Sequence, residues 1–481
     1  MRSAKSASRL CDPDDEIREI RVPVCDFRED PRDPRPVCDS VRIRVLFDES
    51  EIRDPRPLDK ILIRVPHMRP ALRVAVVARS VFPLHGLGGL ERHVHDLVRH
   101  LADAGVETTL ITRTPKSRHD ADAIHPGITL RTVPYRTFPG AGRRGTTVID
   151  RSTAYPLFGL RAGRLAWELV RDGRIDIVHG LGASVLGYAR RRATSTAPLV
   201  LNPQGLEEFG ATNPGRARLK RAGYLPLRRA VLICAKAADR IIATDRALEP
   251  IVRQHLHVPA ERVRVIPNAL DLRWLDRLAT HGDGARVRLA AGIGRDDIVL
   301  LSVGRLEENK GFQHLAAALG ALSAHGGRLP EGRWRWVVIG DGPFRGRLED
   351  AIRDANLGSA AMLVGRVEDK DLHAWYEAAT LFVHPTLYEG SSLVTLEAMA
   401  HRRAVVATRA GGLPDKVKSG VNGWLVEPGD PSALAAAISG AVDEPKTLAA
   451  FGHAGRIIVE GEFSWDAAGR ATLALYKELL A

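Results

Sequence analysis

The chain has 481 residues, room for two or three domains at about 150 residues each. Apolar residues make up 44% and charged residues 27%, which excludes a disordered or fibrous chain. No run reaches the about 20 consecutive apolar residues of a membrane-spanning helix. The net charge of +12 comes from 59 Arg and 11 Lys against 58 acids. Such an excess reads either as a solvated basic surface or as attraction to an anionic substrate, nucleic acid or anionic lipid. The first 30 residues are studded with charge and lack the apolar core of a signal peptide. Cys11, Cys25, Cys38 and Cys234 form neither a disulfide framework nor a metal-ligand spacing, so a reducing cytoplasm is expected.

Residues 1–67 differ from the rest. They hold 14 basic and 15 acidic residues, and DPRP recurs at Asp33 and Asp54 and IRVP at Ile20 and Ile63. Frequent proline interrupts every helix that could start there. A poorly ordered extension, or one translated from a start codon assigned too early, is expected; a small regulatory arm is the alternative.

From Leu72 the pattern turns regular. Leu72–Ala78 is a Val-rich run suited to a buried parallel strand, followed by a Gly-rich turn at 82–89. A helix with Leu90, Val94, Leu97, Val98 and Leu101 on one face then runs to Gly105. Strand-like Thr108–Thr112 follows. The grammar repeats with helix Leu157–Arg171, strand Ile175–His179, helix Ala183–Arg192 and strands Leu199–Asn202, Arg240–Ala243 and Arg262–Ile266. A second series begins after Pro267. Its strands are Ile298–Val303, Trp334–Ile339, Ala361–Val364, Leu381–His384, Ala404–Ala407 and Trp424–Val426. Its helices are Gly311–His325, one ending at Ala355, Asp369–Ala379 and Leu393–Ala400. A last helix spans Trp465–Leu480. Strands alternating with helices give an α/β chain of two Rossmann-like, doubly wound domains facing across a cleft. The boundaries expected are 68–267 for the first domain and 268–460 for the second. Residues 461–481 are expected to form a helix packing back on the first domain.

Three segments carry chemistry. His85-Gly86-Leu87-Gly88-Gly89-Leu90-Glu91 joins a strand to a helix, where backbone N–H groups converge and favour an anion. Read structurally, it is a tight turn. Ser302–Gly311 (SVGRLEENKG) puts Arg305 at the end of a buried strand and Lys310 before a helix. A planar fork and a point charge there suit a diphosphate; the plainer reading is surface ion pairs with Glu307 and Glu308. Pro385–Ala400 (PTLYEGSSLVTLEAMA) holds Glu389 before a helix and Glu397 within it. The first acid suits sugar hydroxyls, the second a ribose diol, and the N–H groups of Ser391, Ser392 and Leu393 suit phosphate oxygens. Nothing fixes the two acids across a glycosidic bond as in a hydrolase.

At these residues the chain resembles the retaining, nucleotide-sugar-dependent glycosyltransferases of family 4, with a GT-B fold. VGRLEENKGF, IGDGP, VGRVEDKDLHAWYEAA, HPTLYEGSSLVTLEAMA and IPNALD carry the resemblance, which covers roughly 85% of the chain from Leu72 onward. It implies that Arg305 and Lys310 bind the donor diphosphate and stabilise the leaving group, with Gly304 beside them. It implies that Glu389 contacts the donor sugar, with Gly390, Ser391, Ser392 and Leu393 on the phosphates, Glu397 on the ribose and the Val367 backbone on the base. Gly88, Gly89 and Glu91 would line the cleft from the first domain. The implied donor is a UDP- or GDP-linked hexose, with no resident cofactor and no metal. Two places depart from the family. Gln204 stands where a His often precedes Gly, and the EGFG-like stretch reads Glu-Gly-Ser-Ser. His179 is a second candidate for the cleft, or a loop His without a ligand.

The implied acceptor is a hydroxyl on a glycan, a lipid-linked or a small molecule. The basic stretch 213–240 would rest on an anionic membrane surface, giving a cytoplasmic, peripheral protein, or it is a solvated helix face. Nucleic acid is not expected, because no recognition motif accompanies the charge. A GT-B-like sugar-nucleotide epimerase and a catalytically silent binding subunit are the alternatives. A dehydrogenase is disfavoured, since neither Gly-rich turn reads GxGxxG.

Overall fold

The computed structural model describes residues 71–86, 88–115, 124–137, 146–204, 206, 209, 222–324, 329 and 332–481, and the backbone of two strands at 17–26 and 37–46. Those two, β1 (Ile17–Asp26) and β2 (Val37–Leu46), pair antiparallel, with Ile20 opposite Ile43 and Val22 opposite Val41. They lie in the segment expected to be a poorly ordered extension. Val and Ile recur here at every second position, a strand period that the prolines and charges obscure. The rest of 1–67 lies outside the described residues.

Residues 70–481 form a separate unit with two sheets. The first contains β3 (Arg73–Val77), β4 (Glu107–Arg113), β5 (Ile128–Val133), β6 (Ile177–Leu181), β7 (Leu199–Asn202), β8 (Arg240–Ala243) and β9 (Val263–Val265). Its order is β5-β4-β3-β6-β7-β8-β9, and every pair is parallel. The second contains β10 (Ile298–Val303), β11 (Trp334–Ile339), β12 (Ala361–Gly365), β13 (Leu381–His384), β14 (Val405–Thr408) and β15 (Gly423–Val426). Its order is β12-β11-β10-β13-β14-β15, again parallel throughout. Central strands such as β3 and β13 are buried on both faces because helices cover each side. In both sheets the strand order reverses beside the first strand, at β3/β6 and at β10/β13. A crevice opens beyond the carboxyl ends of strands at such a reversal.

The helices follow the apolar periodicity. Gly89–Asp103 buries Val94, Leu97, Val98 and Leu101 against the first sheet. Thr146–Arg171 starts eleven residues before the expected Leu157 and carries Pro156 inside it. The expected helix at 183–192 is instead a 3₁₀ turn, Gly182–Val185, and a single α turn, Leu186–Ala189. Helix Trp465–Leu480 packs on the first sheet's layer through Trp465, Ala468, Leu475 and Tyr476. The chain therefore passes between the two sheets twice. The passes run side by side: Leu270 N–H donates to Phe463 O (2.8 Å) and Trp465 N–H to Leu270 O (3.0 Å).

Candidate functional site

The reversal at β10/β13 brings together two loops distant in sequence. The loop after β10 ends in a 3₁₀ turn, Glu308–Lys310, and the loop after β13 carries Glu389. Lys310 Nζ lies 2.7 Å from Glu389 Oε2. The approach depends on two glycines. Gly311 has φ +70° and a Cβ there would stand 1.9 Å from Pro385 O. Gly411 has φ +52° and a Cβ there would stand 1.6 Å from Glu389 O. No other residue fits positions that are both left-handed and in backbone contact.

Glu389 is held from a second side. His384, the last residue of β13 and fully buried, places Nε2 2.9 Å from the same Oε2. Burial alone would raise the Glu389 carboxyl, but the His384 hydrogen bond and the Lys310 charge overcome it and hold the group at about 2. Burial lowers His384 in turn, so it is a neutral ring whose Nε2–H donates to the carboxylate. The result is a fixed anion gripped by one cation and one neutral donor. Arg305 is placed differently: it is two-thirds exposed (65%), with Nε 3.2 Å from Glu307 Oε1. The arginine is thus free to turn toward an incoming anion at the small cost of a surface ion pair.

Helix Leu393–Ala400 begins directly after this loop. Ser392 caps it, its hydroxyl accepting from Thr395 N–H. The Ser391 hydroxyl is buried, with the Asp245 carboxylate as its neighbour. Gly390 O accepts from Gly412 N–H (3.1 Å), fixing the loop beneath. Within the helix, Glu397 accepts from the Tyr376 hydroxyl at 2.9 Å, and burial pushes its carboxyl up. Val367 packs at the edge of the second domain's core, two residues past Gly365. Gly304 follows β10, its N–H donating to Ile339 O.

The first domain approaches the same helix. A Cβ on Gly89 would lie 3.4 Å from Leu393 Cδ1, so the Gly-rich turn and the Glu389 loop face each other. Gly88 carries the Glu91 carboxylate folded back against it. Gln204 has φ +62° and a buried, unpartnered Nε2. His179 is not in the cleft. It lies within β6, 1% exposed, with Nδ1 2.6 Å from the Tyr476 hydroxyl of the C-terminal helix. β6 runs on to Leu181, so His179 faces the interior and burial pushes its ring down to about 3.

Further ion pairs join the domains, among them two that the sequence reading missed and that lie near the site. Arg92 holds both Asp369 carboxylate oxygens at 2.7 Å. Asp245, after β8, pairs with Lys416 of the second domain, and both side chains are fully buried. Gly412 lies against Asp245, and Asp415 accepts from Ala247 N–H (3.0 Å), so this contact braces the Glu389 loop from below. Partners 171 or more residues apart leave no local signal. His384 did leave one, since it precedes Pro385 in a segment already singled out. Among the described residues no group of three His, Cys, Asp or Glu could hold a metal ion.

A basic loop and an acid face each other at a strand-order reversal, across from a Gly-rich turn. Comparison with known proteins decides the family. The model "Glycosyltransferase Family 4" matches residues 87–274, and "Glycosyl transferases group 1" matches 297–444. D-inositol 3-phosphate glycosyltransferase 2 of Catenulispora acidiphila is 31% identical over 431 residues, covering 84% of this chain and 94% of that protein. The chain belongs to glycosyltransferase family 4. The D-inositol 3-phosphate glycosyltransferase of Kribbella flavida is 30% identical, over 85% of this chain and 96% of its own. Two solved structures share the fold. Sucrose-phosphate synthase of Thermosynechococcus elongatus has a TM-score of 0.66 at 22% identity, covering 85% of this chain and 99% of that one. Anabaena Alr3699/HepE in complex with UDP has a TM-score of 0.64 at 18% identity, covering 85% and 100%. The fold is GT-B, and this family 4 member is a retaining, nucleotide-sugar-dependent glycosyltransferase.

Proposed function

We propose that this enzyme moves a hexosyl group from a UDP- or GDP-linked donor to an acceptor hydroxyl, with Lys310, Arg305 and Glu389 at the reacting centre and no resident cofactor. The observation that carries the reading is the Lys310–Glu389 contact at 2.7 Å beneath the Gly89–Leu393 approach. Residues 68–267 form the acceptor side and 268–460 the donor side. As the glycosidic bond breaks, negative charge builds on the departing diphosphate. Lys310 faces that charge from a fixed position, Arg305 swings onto it from Glu307, and the Ser391–Leu393 N–H groups receive its oxygens. Such preorganised donors are the main catalytic contribution in a site that excludes water. Glu389, ionised and immobile, accepts from the sugar hydroxyls and orients the anomeric carbon. The acceptor hydroxyl attacks from the face the diphosphate leaves, and its proton passes to a diphosphate oxygen. Glu397 and the Val367 backbone hold the ribose and the base, and Gln204 donates to the sugar from the opposite wall.

The acceptor is a glycan, a lipid-linked sugar or a small polyol. D-inositol 3-phosphate, for which relatives are named, is the first to test. Of the basic stretch, Arg216, Arg218, Lys220 and Arg221 lie outside the described residues, and Arg228 stacks on Phe209 at 5.0 Å. No described helix is long and apolar enough to cross a membrane. Contact with an anionic bilayer is part of the proposal, and absence of flotation with anionic liposomes at low salt removes it. A thermal-shift panel of nucleoside diphosphates and their sugar conjugates tests the donor side. Stabilisation by neither UDP nor GDP refutes the reading.

A further inference from the structure

The donor machinery leaves one group of charged side chains unused, at the carboxyl ends of three adjacent strands of the first sheet. Arg79 follows β3, Arg113 ends β4 and Tyr135 follows β5. Arg113 lies with its guanidinium carbon 5.5 Å from the centre of the Tyr135 ring, and Arg79 lies 4.9 Å from that of Tyr155. All four side chains are half-buried.

Neither arginine has a counter-ion among the described residues. Several half-buried arginines of this chain do sit on carboxylates: Arg73 on Asp176, Arg92 on Asp369, Arg192 on Asp239. Among the described residues neither Arg79 nor Arg113 has such an ion pair, and the Nε of each is buried without a hydrogen-bond partner. They also repel each other. Burial lowers Arg113, and the Arg79 charge lowers it further, a larger influence than either nearby carboxylate, Glu91 or Asp150. Asp150 is already engaged, accepting from the Tyr135 hydroxyl at 2.8 Å. Burial, then the bond to Asp150, pushes that phenol up to about 12, so it stays protonated. Arg113 Nη2 reaches His85 O at 3.5 Å and Arg79 bonds to the Tyr135 hydroxyl, but the two Nε donors stay unused, and two neighbouring like charges are costly unless an anion bridges them.

Resting on the functional reading above, we propose that Arg79 and Arg113 hold a phosphate monoester carried by the acceptor. The two planar forks match the geometry of phosphate oxygens. The position fits the task, since ligands of doubly wound sheets bind beyond the carboxyl ends of strands and this sheet belongs to the acceptor side. An acceptor anchored here by its phosphate presents a hydroxyl toward the Gly89 turn, while an uncharged acceptor has no such anchor.

The test uses the full chain saturated with UDP or GDP, whichever binds, so that the diphosphate site is filled. Sodium phosphate, D-inositol 3-phosphate and myo-inositol are then titrated by calorimetry. Phosphate and inositol phosphate bind and inositol does not. Arg79→Gln and Arg113→Gln each weaken inositol phosphate by about 10–100-fold, the loss of one or two charge-assisted hydrogen bonds. Nucleotide affinity stays within about twofold. If Arg113→Gln loses nucleotide binding as well, Arg79→Gln decides, because Arg79 makes no ion pair in the fold. Equal affinity for inositol and its phosphate, or wild-type affinity in the Arg79 variant, overturns the proposal. Failure of the functional reading looks different: no nucleotide binds at all, whatever the phosphate titration shows.

Discussion

Replacing Lys416 by Met strands the Asp245 carboxylate where both side chains have no contact with water. The lost interactions are the ion pair, a contact to Gly412 O at 3.3 Å and the approach to the Phe463 ring at 5.6 Å. Asp245 Oδ2 has no close hydrogen-bond partner, so only the neighbouring Ser391 hydroxyl is left to take up part of the charge. Breaking a buried pair from one side costs about 3–5 kcal/mol. The pH dependence gives the sharper reading. Burial already raises the Asp245 carboxyl, and Lys416 offsets this only in part. Without Lys416 it rises further, so the folded state binds a proton that the unfolded state releases. Stability then falls as pH rises above the unfolded value and returns on acidification, by about 1.4 kcal/mol per pH unit within that window. Urea unfolding followed by tryptophan fluorescence, at about pH 5.5 and about pH 7.5, checks this in K416M, D245N and D245N/K416M. K416M is destabilised at the higher pH and partly recovers at the lower, while the double variant loses the pH dependence and regains part of the stability. A wild-type midpoint in K416M, or the same pH dependence in the double variant, refutes the reasoning.

Lys310→Met removes the cation proposed to face the leaving group and is expected to lower kcat by about 10²–10³; steady-state transfer from the preferred donor measures it. Glu389, held at about 2, keeps its charge in mild acid. Its stabilising contribution is present above the usual carboxylate value and is lost only as pH falls through about 2, so no acid limb of kcat/KM above about pH 4 belongs to it. A limb near about pH 5 that vanishes in Glu389→Gln contradicts this. Gly411→Ala meets both a left-handed φ and the Glu389 carbonyl, so melting temperature and transfer both fall. Gly420→Ala, at φ +78° with open space around it, shows only the backbone strain of about 1–3 kcal/mol. Arg92→Ala opens a partly exposed pair and changes unfolding free energy by about 0–1 kcal/mol.

From β3 onward most strands were legible because each is a short Val, Ile or Leu run closed by a turn, with ends within one or two residues; β5 (Ile128–Val133) was missed because, at the sheet edge, its residues alternate with exposed ones. Helix Leu393–Ala400 was equally plain, a short apolar run starting directly after the Glu389 loop. The helix expected from Leu157 begins at Thr146 instead, with Pro156 inside it. His179 misled, since a His near a strand end looks exposed until the C-terminal helix covers it with Tyr476. Motif residues identified Lys310 and Glu389, but not that they touch. That contact follows from strand order, which pattern reading does not supply, and the same holds for Asp245 with Lys416 and Arg79 with Arg113.

The doubled chain crossing at Leu270 and Phe463–Trp465 has a mechanical consequence. Two backbone hydrogen bonds stitch the outgoing and returning segments together, so one cannot slide past the other. Swinging one lobe away from its neighbour must therefore pivot about this seam, and the final helix travels with the lobe it is docked on rather than trailing as a tether.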